Sequence, residues 1–183
     1  ATNQNDILHR AISNGNYEAE TVSETISPSM DIQIASNFER LIFDLNDKNS
    51  EQTSKDMMKI KEEGKYSIDK EKLNLINQDF LSARMSETET LDIIKSVYQE
   101  FNIVLDPHTA IGYGAFDKHN LNGNNIVLAT AHPCKFPDAI QSAINIKAEL
   151  PNELQFILNE KENYDILEND IEKVKEHIKE RSR

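Results

Sequence analysis

The chain has 183 residues, 38% hydrophobic and 28% charged, with a formal net charge of −12, which is long enough for one domain with its own core. The acidic balance repels nucleic acid and anionic membrane, no basic stripe with interleaved aromatics offsets it, and no apolar run approaches the ~20 residues of a membrane span. The single cysteine, Cys134, cannot close an internal disulfide, and ATNQNDILHR has no basic-then-apolar leader, so a reducing, cytoplasmic setting is expected.

In chain order, Asn5-Asp6 opens a short helical pattern with Ile7, Leu8, Ala11 and Ile12 on one side and Gly15 at its end. Residues 16–36 read as an irregular connector with a short strand near Val22, broken at Pro28. Ser36-Asn-Phe-Glu39 matches a capping box ahead of Phe38, Leu41, Ile42 and Leu45. A charged helix is expected over 51–63, and a short helix or extended piece over 70–80. Ser86-Glu-Thr-Glu89 is a second capping box, followed by the stripe Leu91, Ile94, Val97, Tyr98 and Phe101. Asp106-Pro107 starts a helix over His108 to Phe116, residues 126–130 (IVLAT) are the best strand, and Pro137 suits a first helical turn. The tail from Glu160 repeats apolar residues at helical spacing through Tyr164, Leu167, Ile171, Val174 and Ile178. The expectation is therefore a helix-rich α/β chain with few strands of its own, and one strand cannot make a sheet.

The stretch IVLATAHPCKF concentrates reactive groups where a core strand surfaces: Thr130, His132, Cys134 and Lys135. Each also has an ordinary reading, as a strand former, a loop histidine, a small filler and a solvated lysine. Asp106 through Thr109 is most simply a helix start. Asp31 with Glu39, and Glu87 with Glu89, read as helix-start charges. The five histidines show no metal-ligand spacing, so no metal site is expected. There are only five glycines, and IGYGAF is a lone GxG, so no phosphate-cradling loop is present.

Taken together, ATNQNDIL (1–8), SPSMDIQIASNFERLIFDL (27–45), SETETL (86–91), DPHTAIG (106–112) and LATAHPCKF (128–136) resemble, in order, the landmarks of the threonine synthase family. That family has the tryptophan-synthase-β-like fold (fold type II), uses pyridoxal 5′-phosphate, and converts O-phosphohomoserine and water to threonine and phosphate. The resemblance implies that this chain is the C-terminal portion. Residues 1–35 and 102–150 would belong to the cofactor-binding α/β domain, 36–101 to a helical insertion, and 151–183 to a helical tail. No catalytic residue is expected in this chain, because the family's Schiff-base lysine lies upstream, and the chain alone is expected to be inactive. Thr130 matches the threonine of T-A-H-P-x-K-F and would place its hydroxyl against the pyridine nitrogen. Asn5, Asp6, His108, Thr109, His132 and Lys135 are candidates for lining the pocket. Cys134 stands where the family commonly has alanine, and is read as packing.

The expected partner is the small-molecule substrate, with no nucleic acid or membrane, and self-association through an unpaired sheet edge is a further expectation. Two alternatives stand beside this reading. One is a stand-alone acidic helical module that binds a protein through its 160–181 helix. The other is a related pyridoxal-phosphate phospho-lyase.

Overall fold

The computed structural model describes residues 1–182. Two compact units divide at residue 149. The first runs α1 (Ile7–Asn14), β1 (Asn16–Glu18), α2 (Phe38–Leu45), α3 (Ser50–Glu63), β2 (Lys65–Ser67), α4 (Lys70–Asp79), α5 (Glu87–Phe101), α6 (Pro107–His119) and α7 (Pro137–Ile144), with 3-10 turns at Pro28–Met30 and Pro133–Lys135.

One local device is used twice. Helices α1 and α3 each end on a left-handed glycine, Gly15 at φ 79° and Gly64 at φ 75°, a conformation that glycine takes without Cβ strain. Each glycine is followed by a tripeptide with a central tyrosine. The two tripeptides pair antiparallel, Tyr17 opposite Tyr66, and both rings are buried. Three-residue strands have little stability of their own, so this pair depends on the core around it: Ile7, Ala11, Phe38, Ile42, Ile60 and Ile76. Tyr17 stacks on Phe38 at 5.1 Å. The Tyr66 hydroxyl reaches the buried Asp56 carboxylate at 3.4 Å. Burial first, and Asp56 second, push its pKa well above the usual tyrosine value.

A second core joins α5, α6 and α7 through Ile94, Ala110 and Ile140. All three are fully enclosed, and each isoleucine is worth roughly 1.5–3 kcal/mol of burial. The capping box at Ser86 forms with both reciprocal bonds. The glycines of IGYGAF lie inside α6, where Gly114 leaves room for the Met85 thioether.

Several expectations are corrected. The box at 36–39 does not form: Asn37 is already helical at φ −73°, ψ −19°, and no side chain caps α2. The reason is tertiary. The Tyr17 hydroxyl takes the Ala35 N–H at 2.8 Å, and the chain then turns into the helix through a Phe38 N–H to Ala35 carbonyl bond of 3.0 Å. The first short strand lies at Asn16–Glu18 rather than near Val22, because the pairing tyrosine follows Gly15. Residues 126–130 join no ladder, and Ile126 and Leu128 are 88% and 74% exposed. A strand-forming sequence stays unpaired where no neighbouring strand is present.

The second unit begins at Leu150. It holds a 3-10 stretch, Asn152–Asn159, and one helix, α8 (Ile171–Arg181). The helix expected from residue 160 starts later because Asp170 caps it, accepting from the Glu172 and Lys173 N–H groups. Among the described residues no helix is long and apolar enough to cross a membrane.

Two outcomes follow for stability. A Cβ at Gly15 would lie 2.6 Å from the Ile68 carbonyl oxygen, whereas one at Gly64 meets nothing within 4 Å. In urea unfolding, Gly64→Ala should cost the left-handed strain alone, about 1–2 kcal/mol. Gly15→Ala should cost roughly 1–3 kcal/mol more from the clash; equal costs would contradict this packing. Separately, the Lys118 ammonium, together with the Ser86 N–H and hydroxyl, holds the Glu89 carboxyl down to about 2 from 4.5. A carboxyl lowered on folding stabilises the fold above its unfolded pKa, and that contribution disappears as pH falls through the folded value. Thermal midpoints of the wild type should therefore decline more steeply than those of Glu89→Gln between pH 4.5 and about 2. The difference should be small because Glu89 is half exposed, and parallel curves would contradict the assignment.

Candidate functional site

Helix α6 begins at a buried carboxylate. Asp106 is extended, at φ −74°, ψ 160°, with Pro107 at the first helical position. One carboxylate oxygen accepts the His108 and Thr109 N–H groups at 2.9 and 3.4 Å. The same oxygen lies 3.1 Å from His108 Nδ1. The other accepts the Thr109 hydroxyl. The helix start therefore supplies the partners that a buried anion requires, and the helix dipole favours the same charge.

Two further bonds extend this node. His108 Nε2 accepts the Ser29 N–H at 3.3 Å. With Nε2 accepting and Nδ1 facing a carboxylate, the ring proton sits on Nδ1. The imidazole also lies tilted against Phe136, with centroids 4.8 Å apart. The Thr109 hydroxyl oxygen accepts the Thr130 N–H at 3.1 Å. Residues near 29, 108 and 130 are thus joined through one carboxylate. The Thr130 side chain is exposed, and among the described residues its hydroxyl has no hydrogen-bond partner.

Beside this node lies an open cleft of about 420 Å³, lined by Leu105, Asp106, Thr109, Ala129, Ala131 and His132 among others. His132 stands exposed on its rim, and its Nδ1 accepts the Cys134 N–H at 3.2 Å, opening the Pro133–Lys135 turn. Lys135 is exposed in that turn, and Cys134 is half-buried and free.

A second polar cluster holds the loop that carries Ser29. Asn3 and Asn5 are buried. Asn3 Nδ2 donates to Asp31 Oδ1 at 2.7 Å and lies within reach of the Thr25 and Ser27 hydroxyls. Asn5 clasps Ser23 through both backbone groups, at 2.8 Å each. Asp31 accepts the Thr25 N–H and hydroxyl as well. Asp31 is thus the centre of a loop clamp, not a helix-start charge as its sequence context suggested. Asn5 also lines a small cleft of about 160 Å³ with Thr2, Ser29 and Met30.

The structure therefore gathers Thr130, Thr109, His108 and His132 around Asp106, and connects Asn5 to them through the Ser29 loop. Asp6 is not part of this group. It pairs with Arg10 at 2.8 Å and Arg84 at 3.6 Å, and so steadies α1. Sequence reasoning passed over Asn3, Thr25 and Ser27, whose signal was the density of hydroxyl and amide side chains around Pro28. It took Asp106 only as a cap. Among the described residues no group of three or more potential metal ligands occurs.

The chain is similar to proteins already known. The family model described as "Threonine synthase, C-terminal" matches residues 109–178. Threonine synthase of Pseudomonas aeruginosa is 38% identical over 97% of the chain. The chain superposes in full on a crystal structure of PLP-bound threonine synthase from Brucella melitensis, with TM-score 0.89 and 39% identity. It superposes over 98% of its length on threonine synthase from yeast, with TM-score 0.83 and 36% identity. The chain belongs to the threonine synthase family. It corresponds to the C-terminal part of those structures, and it spans about 40% of the Brucella chain and 39% of the Pseudomonas protein. The few-stranded, helix-rich architecture is that of this part of a threonine synthase.

Proposed function

We propose that this threonine synthase segment forms one wall of a pyridoxal 5′-phosphate site that converts O-phosphohomoserine and water to threonine and phosphate. The observation that carries the proposal is the presentation of Thr130. Its backbone N–H is held by Thr109, its hydroxyl is exposed and without a partner among the described residues, and its chain neighbours Ala129 and Ala131 line the adjoining cleft with Asp106, Thr109 and His132. Such a group fits a ring nitrogen that needs a neutral hydrogen-bond partner. When bound, pyridoxal phosphate withdraws electrons and so stabilises negative charge on a substrate carbon. A hydroxyl stabilises a protonated ring nitrogen less than a carboxylate would, so Thr130 moderates that withdrawal. Asp106 and Thr109 orient the wall. His108 holds the Ser29 loop in place through Nε2, with Nδ1 turned to Asp106. His132 and Lys135 stand on the solvent side of the wall, placed to meet substrate. Asn5 shapes the neighbouring small cleft.

In this reading residues 1–35 and 102–150 join the α/β cofactor domain, 36–101 form a helical insertion, and 151–183 form the tail. The exposed Ile126 and Leu128 support it over a stand-alone interaction module. A self-sufficient domain covers such a row, whereas a strand that completes a larger sheet leaves it bare until the sheet is assembled. The same bare row would drive self-association of the segment in isolation.

The test uses the complete natural chain that carries this sequence and the 183-residue segment alone. The complete chain should release phosphate and threonine from O-phosphohomoserine, and the segment should release neither. Borohydride reduction and peptide mapping should place the cofactor on a lysine outside residues 1–183. A specific adduct on Lys135, or turnover by the segment, would overturn the proposal.

A further inference from the structure

Thr130 ends a stretch that no ladder holds, residues 124–130. Its position is nevertheless fixed at one point, its own N–H, which donates to Thr109 Oγ1 at 3.1 Å. That oxygen can hold still only if its hydrogen has a fixed acceptor. The acceptor is the second oxygen of Asp106, a carboxylate 1% exposed. The first oxygen is already engaged by the start of α6 and by His108. The carboxylate therefore acts in two directions: one oxygen starts the helix, and the other sets the rotation of the Thr109 hydroxyl. A hydroxyl that donates to Asp106 must turn a lone pair toward Thr130, so the order of donors is determined along the whole path.

We propose that Asp106 is a positioning residue for Thr130, acting through the Thr109 hydroxyl; this rests on the reading that Thr130 faces the cofactor. In this role Asp106 acts through the Thr109 hydroxyl and not by touching the reacting atoms. It makes the strand end rigid at the residue whose side chain does the work.

The substitutions separate this relay from simple capping. Thr109→Val keeps the shape of the side chain and removes the bridge, while Thr109→Ser keeps the bridge. Asp106→Asn keeps a good N-cap residue. Whichever way its amide turns, however, either the helix N–H groups or the Thr109 hydroxyl loses its acceptor. The measurements are amide exchange at Thr130 and kcat and KM for O-phosphohomoserine, all on the complete, cofactor-loaded chain. Ile94, in the core of α5, serves as the reference amide.

Thr109→Val and Asp106→Asn should speed exchange at Thr130 about tenfold, the effect of one lost hydrogen bond, with Ile94 unchanged. Both should lower kcat with little change in KM, and Thr109→Ser should behave as wild type. The proposal is overturned if Thr109→Val leaves Thr130 exchange or kcat unchanged, or if Thr109→Ser is as damaging as Thr109→Val. Thr130→Val separates the two layers. If it leaves the cofactor absorbance and kcat unaltered, the cofactor-facing reading of Thr130 fails, whereas the exchange data on Thr109→Val still decide whether the bridge exists.

Discussion

A single buried carboxylate organises the candidate site. Asp106 is an anion placed almost wholly out of water, and an anion in that position is tolerated only when its oxygens are fully occupied. Its sequence neighbours meet that demand. Pro107 contributes no N–H at the first helical position, and His108 and Thr109 supply two backbone donors, an imidazole and a hydroxyl. The tetrapeptide is thus self-consistent as a helix start, and it has two polar atoms left over, His108 Nε2 and a Thr109 lone pair. Those two atoms reach across the fold to Ser29 and Thr130.

The loop on the far side of His108 is fixed by different means. It has hardly any regular structure, so its backbone groups must be satisfied by side chains. Asn3, Asn5 and Asp31 do this, with Thr25 and Ser27 between them. A polar loop held in this way is specific in shape but depends on every partner being present. The paired tyrosines and the first aliphatic core provide the rigid base: Tyr17 holds Ala35 just beyond this loop, and Ile7 anchors the helix that follows Asn5.

What could be read from the sequence follows from the range of each signal. The helix ended by Gly15, the box at Ser86 and the start at Asp106-Pro107 were legible because each depends on residues within a turn of one another. The box at Ser36 carries the same letters and fails, because Tyr17, 18 residues before Ala35, captures that adjoining backbone. The strand at 126–130 has the right composition, but composition cannot supply a neighbour. The two tyrosine tripeptides were missed although each follows a glycine, since three residues are too few to show an alternation. In the site, Thr130 and its companions came from the resemblance of whole motifs, and their physical connection through Asp106 could be seen only with residues 29, 108 and 130 brought together.

The account stands on the arrangement of protons around Asp106, and the imidazole of His108 reports it most directly. Nitrogen-15 spectra of selectively labelled histidine in the complete chain would identify which ring nitrogen carries the proton. The structure predicts a protonated Nδ1 facing Asp106 and an unprotonated Nε2 accepting from Ser29. A neutral ring with its proton on Nε2 would lose the Ser29 bond and leave the carboxylate facing a lone pair, and so would contradict the node on which the site is built.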